Sequence, residues 1–233
     1  ITGCEALIRW QKDGRLISPM SFIPVAEETG IIIPIGRWVI EQSCRVLREW
    51  QKKYNYAIPI AINVASQQFA DASLVSDIKQ MALRYQIQPE LLEIEITETS
   101  LMNDIELAIN KLEQLKSAGF GIAVDDFGTG YSSLSYLRHL PITTMKIDRC
   151  FVSDLPKDSA IASTILMLGK QLNLTIVAEG IENELQLDWL KSNECQIGQG
   201  FYFSQPLPQA EFETLYIASQ TATISNIDGL RGA

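Results

Sequence analysis

Short apolar runs alternate with longer amphipathic stretches along this chain, and the runs read as apolar on both faces. A strand with one face in water alternates apolar and polar residues, whereas a strand covered on both sides does not. The pattern therefore calls for a parallel sheet buried under helices. Strands are predicted at residues 4–8, 58–64, 92–96, 121–124, 144–147, 175–178 and 196–201. A helix is predicted over 104–117, where Ile105, Ala108, Ile109, Leu112 and Leu115 share one face. Asn103 with Glu106 can cap its start, and Gly119 suits its stop. Asn183 with Gln186 marks another helix start, running through Leu185 to Leu190.

A length of 233 residues suits one large domain or two small ones. The alternation runs without a linker, an internal repeat or a low-complexity segment. A closed (β/α)8 barrel has eight strands and typically about 250 residues. The seven strands read here fall one short, which points to a strand upstream of Ile1. The expected fold is thus α/β, a modified TIM-type (β/α)8 barrel whose first strand is missing from the chain. The segment beyond Tyr216, rich in Ser, Thr, Asn and Gly, reads as a loosely ordered tail.

The formal net charge of −9 speaks against a polymeric nucleic acid as partner, which needs a basic footprint. A small anion stays open if bound cations invert the local field. Cys4, Cys44, Cys150 and Cys195 stand far apart with no C-x-x-C pair, which reads as buried reduced thiols in a cytoplasmic protein. The apolar stretches are too short to cross a bilayer, so this segment is expected to make no membrane contact. It could still be the cytoplasmic portion of a membrane-anchored protein.

In a parallel barrel the carboxyl ends of the strands build the active site. Those ends carry Glu5, Asn63, Glu95, Asp125 with Asp126, Lys146, Glu179 and Gln199. Stability alone would place apolar side chains there. The set is rich in hard oxygen donors and lacks Cys and His, which selects Mg²⁺ or Mn²⁺ over zinc. Paired aspartates can bridge two ions for an in-line displacement at phosphorus, and Lys146 adds a positive charge that can orient a water or steady the phosphate.

Several residues have bland readings. Asn63 could cap the next helix, with Ser66 as a rival. His139, the lone histidine, reads as a surface residue. Trp10, Trp38, Trp50 and Trp189 read as packing, and Glu27 with Glu28 as a solvated helix face ended by Gly30.

Taken together, Glu5-Ala6-Leu7 with Arg9, Ile62-Asn63-Val64, Glu95-Ile96-Thr97-Glu98, the loop from Asp125 to Tyr131 with Ser132-Ser133-Leu134, Lys146-Ile147-Asp148, Glu179-Gly180-Ile181-Glu182 and the run from Gln199 to Phe203 resemble the EAL domain. The resemblance spans residues 1–216, an N-terminally incomplete EAL phosphodiesterase domain, with 217–233 as the tail. It implies a bacterial phosphodiesterase that hydrolyses cyclic di-GMP to linear pGpG in second-messenger signalling. The alternative is a catalytically inactive EAL-type receptor for the same dinucleotide.

Carried across residue by residue, the resemblance implies that Glu5, Asn63, Glu95 and Asp125 ligate one of two Mg²⁺ or Mn²⁺ ions. Asp125 would bridge to the second, shared with Asp126 and Glu179. Lys146, Glu179 and Glu5 form the implied catalytic set; Lys146 would act on the attacking water, with Glu179 as the rival base. Arg9 would contact a substrate phosphate, with Gln199 against the site. Glu98 would anchor the loop from Asp126 to Leu134, near which such domains dimerise. A homodimer is therefore expected, fused to or regulated by a sensory or GGDEF domain in a longer protein.

Overall fold

The computed structural model describes residues 1–129 and 137–218. Its strands run β1 (Cys4–Ala6), β2 (Trp10–Lys12), β3 (Arg15–Ile17), β4 (Ile60–Val64), β5 (Leu92–Thr97), β6 (Gly121–Phe127), β7 (Thr144–Ile147), β8 (Thr175–Ala178) and β9 (Ile197–Gly198). Seven of them form one sheet in the order β1-β4-β5-β6-β7-β8-β9. Every neighbouring pair in it is parallel. Helices Ile32–Tyr54, Leu74–Tyr85, Ile105–Ser117, Ala160–Leu172 and Glu184–Ser192 supply the crossovers. The sheet curls into the modified (β/α) barrel that the alternation predicts.

Successive side chains of a strand point to opposite faces, and the two faces here are chemically distinct. Ile62, Leu92, Ile94, Ile96, Ile122, Met145, Ile147 and Ile176 are fully buried in a core shared with Ile40, Leu47, Ile78, Leu112 and Leu115 of the helices. The alternate positions are Ala61 and Asn63, Glu93 and Glu95, Ala123 and Asp125, Thr144 and Lys146. The expectation of strands apolar on both faces therefore holds only toward the helices. The other face carries small and polar groups, because it leads to the site.

Hairpin β2–β3 is absent from the strands predicted above. It turns through Asp13 and Gly14, both at positive φ (50° and 74°). That is the Asp-Gly signature of a two-residue hairpin, and it interrupts a stretch that otherwise carries no alternation. Strand 4–8 stops at Ala6, and strand 196–201 is reduced to Ile197–Gly198. There the chain turns at Gly200, where a Cβ would collide with the backbone of Ile181.

Helix starts divide. Asn183 and Gln186 mark a helix start as predicted, and there they form a capping box. The helix at 105 is instead capped by Asp104, which accepts from the Leu107 N–H at 3.1 Å. Its end falls where expected, with Gly119 at φ 94°. Trp50 is buried and stacks on Phe212 with centroids 5.9 Å apart. Trp10 and Trp38 are 45% and 52% exposed, contrary to a packing role. Trp10 meets Phe22 only edge-on at 5.6 Å.

Cys4, Cys44, Cys150 and Cys195 are free thiols, and Cys150 is exposed where a buried residue was expected. Ile217, the first residue of the expected tail, is fully buried in the core; residues 219–233 of that tail lie outside the described residues. Among the described residues no helix is long and apolar enough to cross a membrane.

Candidate active site

The sheet register gathers the predicted residues at one rim. Glu5, Asn63, Glu95, Asp125 and Lys146 sit within two residues of the C-terminal ends of β1, β4, β5, β6 and β7. Glu179 and Gln199 follow β8 and β9 directly. Their backbone N–H groups extend the ladder to Ile147 O at 3.1 Å and Ala178 O at 2.8 Å.

Lys146 is the centre of this rim. Its side chain is 2% exposed, far from the usual fate of a lysine. Nζ lies 2.6 Å from Glu179 Oε1, 2.8 Å from Glu95 Oε2 and 3.5 Å from Asp125 Oδ2. Burial works against its charge, but Glu95, Glu5, Glu179 and Asp125 outweigh burial and hold Lys146 firmly as an ammonium. The carboxylates are pushed the other way. Burial lifts Glu95 to about 8, with repulsion from Glu5 and Asp125 adding to it against the pull of Lys146. Burial lifts Glu179 to about 7, again against Lys146 and with Asp125 adding. More negative charge converges here than one ammonium can balance.

Two amides hold Glu5. Asn63 Nδ2 donates to its Oε1 at 2.5 Å and Gln199 Nε2 to its Oε2 at 2.7 Å. Neither Asn63 nor Ser66 caps the helix Ser66–Ala70, whose N-cap is Ala65. Asn63 therefore belongs to the site, while Ser66 bonds the Ser100 hydroxyl at 2.6 Å.

The aspartate pair rests on a break in the ladder. The β6–β7 register shifts between Val124 and Phe127, and Asp126 takes a left-handed φ of 54°. Such bulges re-aim side chains beside active sites. The Asp126 N–H donates to Asp125 Oδ1 at 2.9 Å. Burial, then Asp125 and Asp148, raise Asp126 to about 6. Asp148 is a member of this cluster that the sequence reading left without a role. Burial pushes Asp148 up, but hydrogen bonds from Cys150 and Asp126 prevail and hold it below the usual range. Its position two residues beyond Lys146 was the available signal.

Glu98 is buried, and its Oε2 accepts from the Gly128 N–H at 3.0 Å, tying down the start of the loop it was expected to anchor. Residues 130–134 of that loop, and the dimer contacts expected near it, lie outside the described residues. Arg9 stands exposed and donates to the Ile8 carbonyl at 2.9 Å. His139 is exposed, as predicted for a surface residue.

Among the described residues no three Asp, Glu, His or Cys side chains are already drawn together as a metal cage; the Lys146 ammonium stands between them. The donor set nevertheless fits a hard divalent cation. It consists of carboxylate and amide oxygens. Glu95 Oε2 is buried, and the cation it meets is the Lys146 ammonium, which it shares with Glu179 and Asp125. One ammonium among Glu5, Glu95, Asp125 and Glu179 leaves negative charge in excess, which a divalent cation would balance.

Fold and rim together define a (β/α)-barrel protein with an acidic, oxygen-rich site at the carboxyl ends of its strands. The EAL domain family model matches residues 1–206, and the chain belongs to that family. It is 44% identical over 221 residues to the signaling protein YkoW of Bacillus subtilis, covering 93% of this chain and 28% of the relative. It is 45% identical to the bifunctional diguanylate cyclase/cyclic di-GMP phosphodiesterase MucR of Pseudomonas aeruginosa, covering 88% of this chain and 31% of MucR. The chain thus spans about a third or less of these relatives. Among solved structures, the MucR phosphodiesterase in complex with cyclic di-GMP superposes with a TM-score of 0.85 at 44% identity, covering 89% of this chain and 86% of that one.

Proposed function

We propose that this domain hydrolyses cyclic di-GMP to linear pGpG. The observation that carries the reading is the convergence of Glu95, Asp125 and Glu179 on Lys146, with Glu5 held beside them by Asn63 and Gln199, in a chain similar to a phosphodiesterase solved with cyclic di-GMP. Glu5, Asn63, Glu95 and Asp125 would hold one Mg²⁺ or Mn²⁺ ion, and Asp125, Asp126 and Glu179 the second. When bound, such a pair neutralises the phosphate and makes water a better nucleophile.

The chain's own groups do the rest. Water oxygen attacks phosphorus, the P–O3′ bond breaks, and the departing 3′ oxygen takes up a proton. Lys146 is held as an ammonium, so it donates and orients rather than accepting a proton. Glu179, 2.6 Å from the Lys146 ammonium at the same rim, would accept the proton of the attacking water. The Lys146 charge steadies the negative charge that grows on the phosphoryl oxygens. Arg9, exposed near the rim on the connection after β1, is free to turn toward a substrate phosphate.

Incubating the purified domain with cyclic di-GMP and Mn²⁺, followed by chromatography, tests this directly. Appearance of pGpG is the expected result. Binding without product would favour the receptor reading.

A further inference from the structure

Two residues below the Glu95–Lys146 pair, the same two strands carry a second pair. Thr144 Oγ1 donates to Glu93 Oε1 at 2.5 Å. Strands β5 and β7 are not neighbours; β6 lies between them. Two strand spacings separate them by roughly 9–10 Å. A side chain can span that distance only if β6 presents almost nothing on this face. Its residues there are Gly121 and Ala123. A Cβ on Gly121 would stand 3.2 Å from Glu93 Cγ and 3.3 Å from its Cβ, so the Glu93 stem lies over the glycine.

The two pairs join the same two strands two residues apart. Glu93 pairs with Gly121 and Glu95 with Ala123 in the β5–β6 register, and Ala123 pairs with Thr144 in the β6–β7 register. Glu93 to Thr144 and Glu95 to Lys146 are thus successive contacts between the same two strands, the first across β6 in regular register and the second beside the register shift between Val124 and Phe127. A shift of β7 against β5 that broke one contact would break the other.

We infer that Glu93 and Thr144 are positioning residues that fix the approach of Lys146 to Glu95 from below. The inference rests on the phosphodiesterase reading. Their side chains bond each other rather than the rim groups, so their effect passes through the strands. Small displacements of a reacting group cost rate steeply, while substrate binding depends on other contacts.

Steady-state kinetics on cyclic di-GMP with Mn²⁺ test this. A wild-type domain that forms no pGpG overturns the phosphodiesterase reading, and this inference with it, before any variant is made. In an active domain, Thr144→Val is expected to lower kcat about tenfold with KM changed less than about twofold. Thr144→Ser, which restores the hydroxyl, should bring kcat back to within about twofold of wild type. Glu93→Met keeps a chain of similar length over Gly121 but loses the acceptor, and should match Thr144→Val. If melting curves show that Thr144→Val does not fold, Glu93→Met carries the test. Wild-type kcat in either disrupting variant overturns the inference. So does a loss in Thr144→Ser as large as in Thr144→Val, or a rise in KM that accounts for the loss.

Discussion

Gln199 Nε2 and Glu5 Oε2, 194 residues apart in sequence, meet at 2.7 Å where the last and first strands of the sheet face each other. With Asn63 on the other oxygen, Glu5 is fixed at both ends of its carboxylate.

Gln199→Ala should therefore weaken Mn²⁺ binding as well as stability. Losing one hydrogen bond to a charged group at a part-buried position is expected to cost about 1 kcal/mol of stability. Calorimetric titration of Mn²⁺ should show weaker binding than in wild type. An unchanged cation affinity would mean that the amide only decorates the rim.

Lys146→Met should be more severe. Removing the ammonium leaves Glu95, Glu179 and Asp125 facing one another in a buried site, a loss of about 3–5 kcal/mol above neutral pH. Turnover should fall by about 100-fold or more. Denaturant melts in EDTA, repeated with Mn²⁺, should show the metal restoring part of the stability. His139→Ala, at an exposed position, serves as control and should stay within about 0.5 kcal/mol and keep full activity.

Metal-free stability should fall as pH rises. Asp126, Glu179 and Glu95 are lifted from ordinary values of 3.8, 4.5 and 4.5 to about 6, 7 and 8. A carboxyl raised in the folded state stabilises fully below its unfolded value, and that contribution is lost as pH climbs through its folded value. Melting temperature in EDTA should thus decline from about pH 4.5 to about pH 8. Saturating Mn²⁺ should flatten the slope, since a bound cation favours the ionised forms. A melting temperature that rises across this window in EDTA would contradict the buried-carboxylate account.

Hydrolysis should cease in excess chelator and return with Mg²⁺ or Mn²⁺. Calcium should restore little, because its longer and looser coordination misplaces the reacting groups. Full turnover in EDTA, followed by chromatography of pGpG, would sink the metal reading. Asp125→Asn should likewise abolish turnover while the fold persists, as circular dichroism would show.

Much of the site was legible because it sits where strands end. Asn63 and Glu179 follow apolar runs, Glu95 and Lys146 lie near the ends of β5 and β7, and the parallel register carries all four to one rim. What stayed hidden depended on neighbours in space. The burial of Lys146 is set by three other strands and cannot be seen from its own. Asp148 caps the helix Arg149–Ser153, accepting from the Cys150 N–H at 2.9 Å, and its place beside Asp126 shows only in space. The Asp13-Gly14 hairpin had a local signature, but the barrel pattern predicts only strands of the main sheet. Asp104 outcompeted Asn103 for the cap because its side chain reaches the Leu107 N–H three residues on.

The bulge at Asp125 and Asp126 also sets a rule about chain length. Adjacent residues of a regular strand point to opposite faces, so an unbroken β6 could give only one aspartate to the rim and would turn the other toward the helices. A chain shortened by one residue between Val124 and Phe127 would keep nearly the same composition and hydropathy. It would regain a regular ladder and lose half of its acidic doublet. At this point of the fold, the count of residues matters as much as their kind.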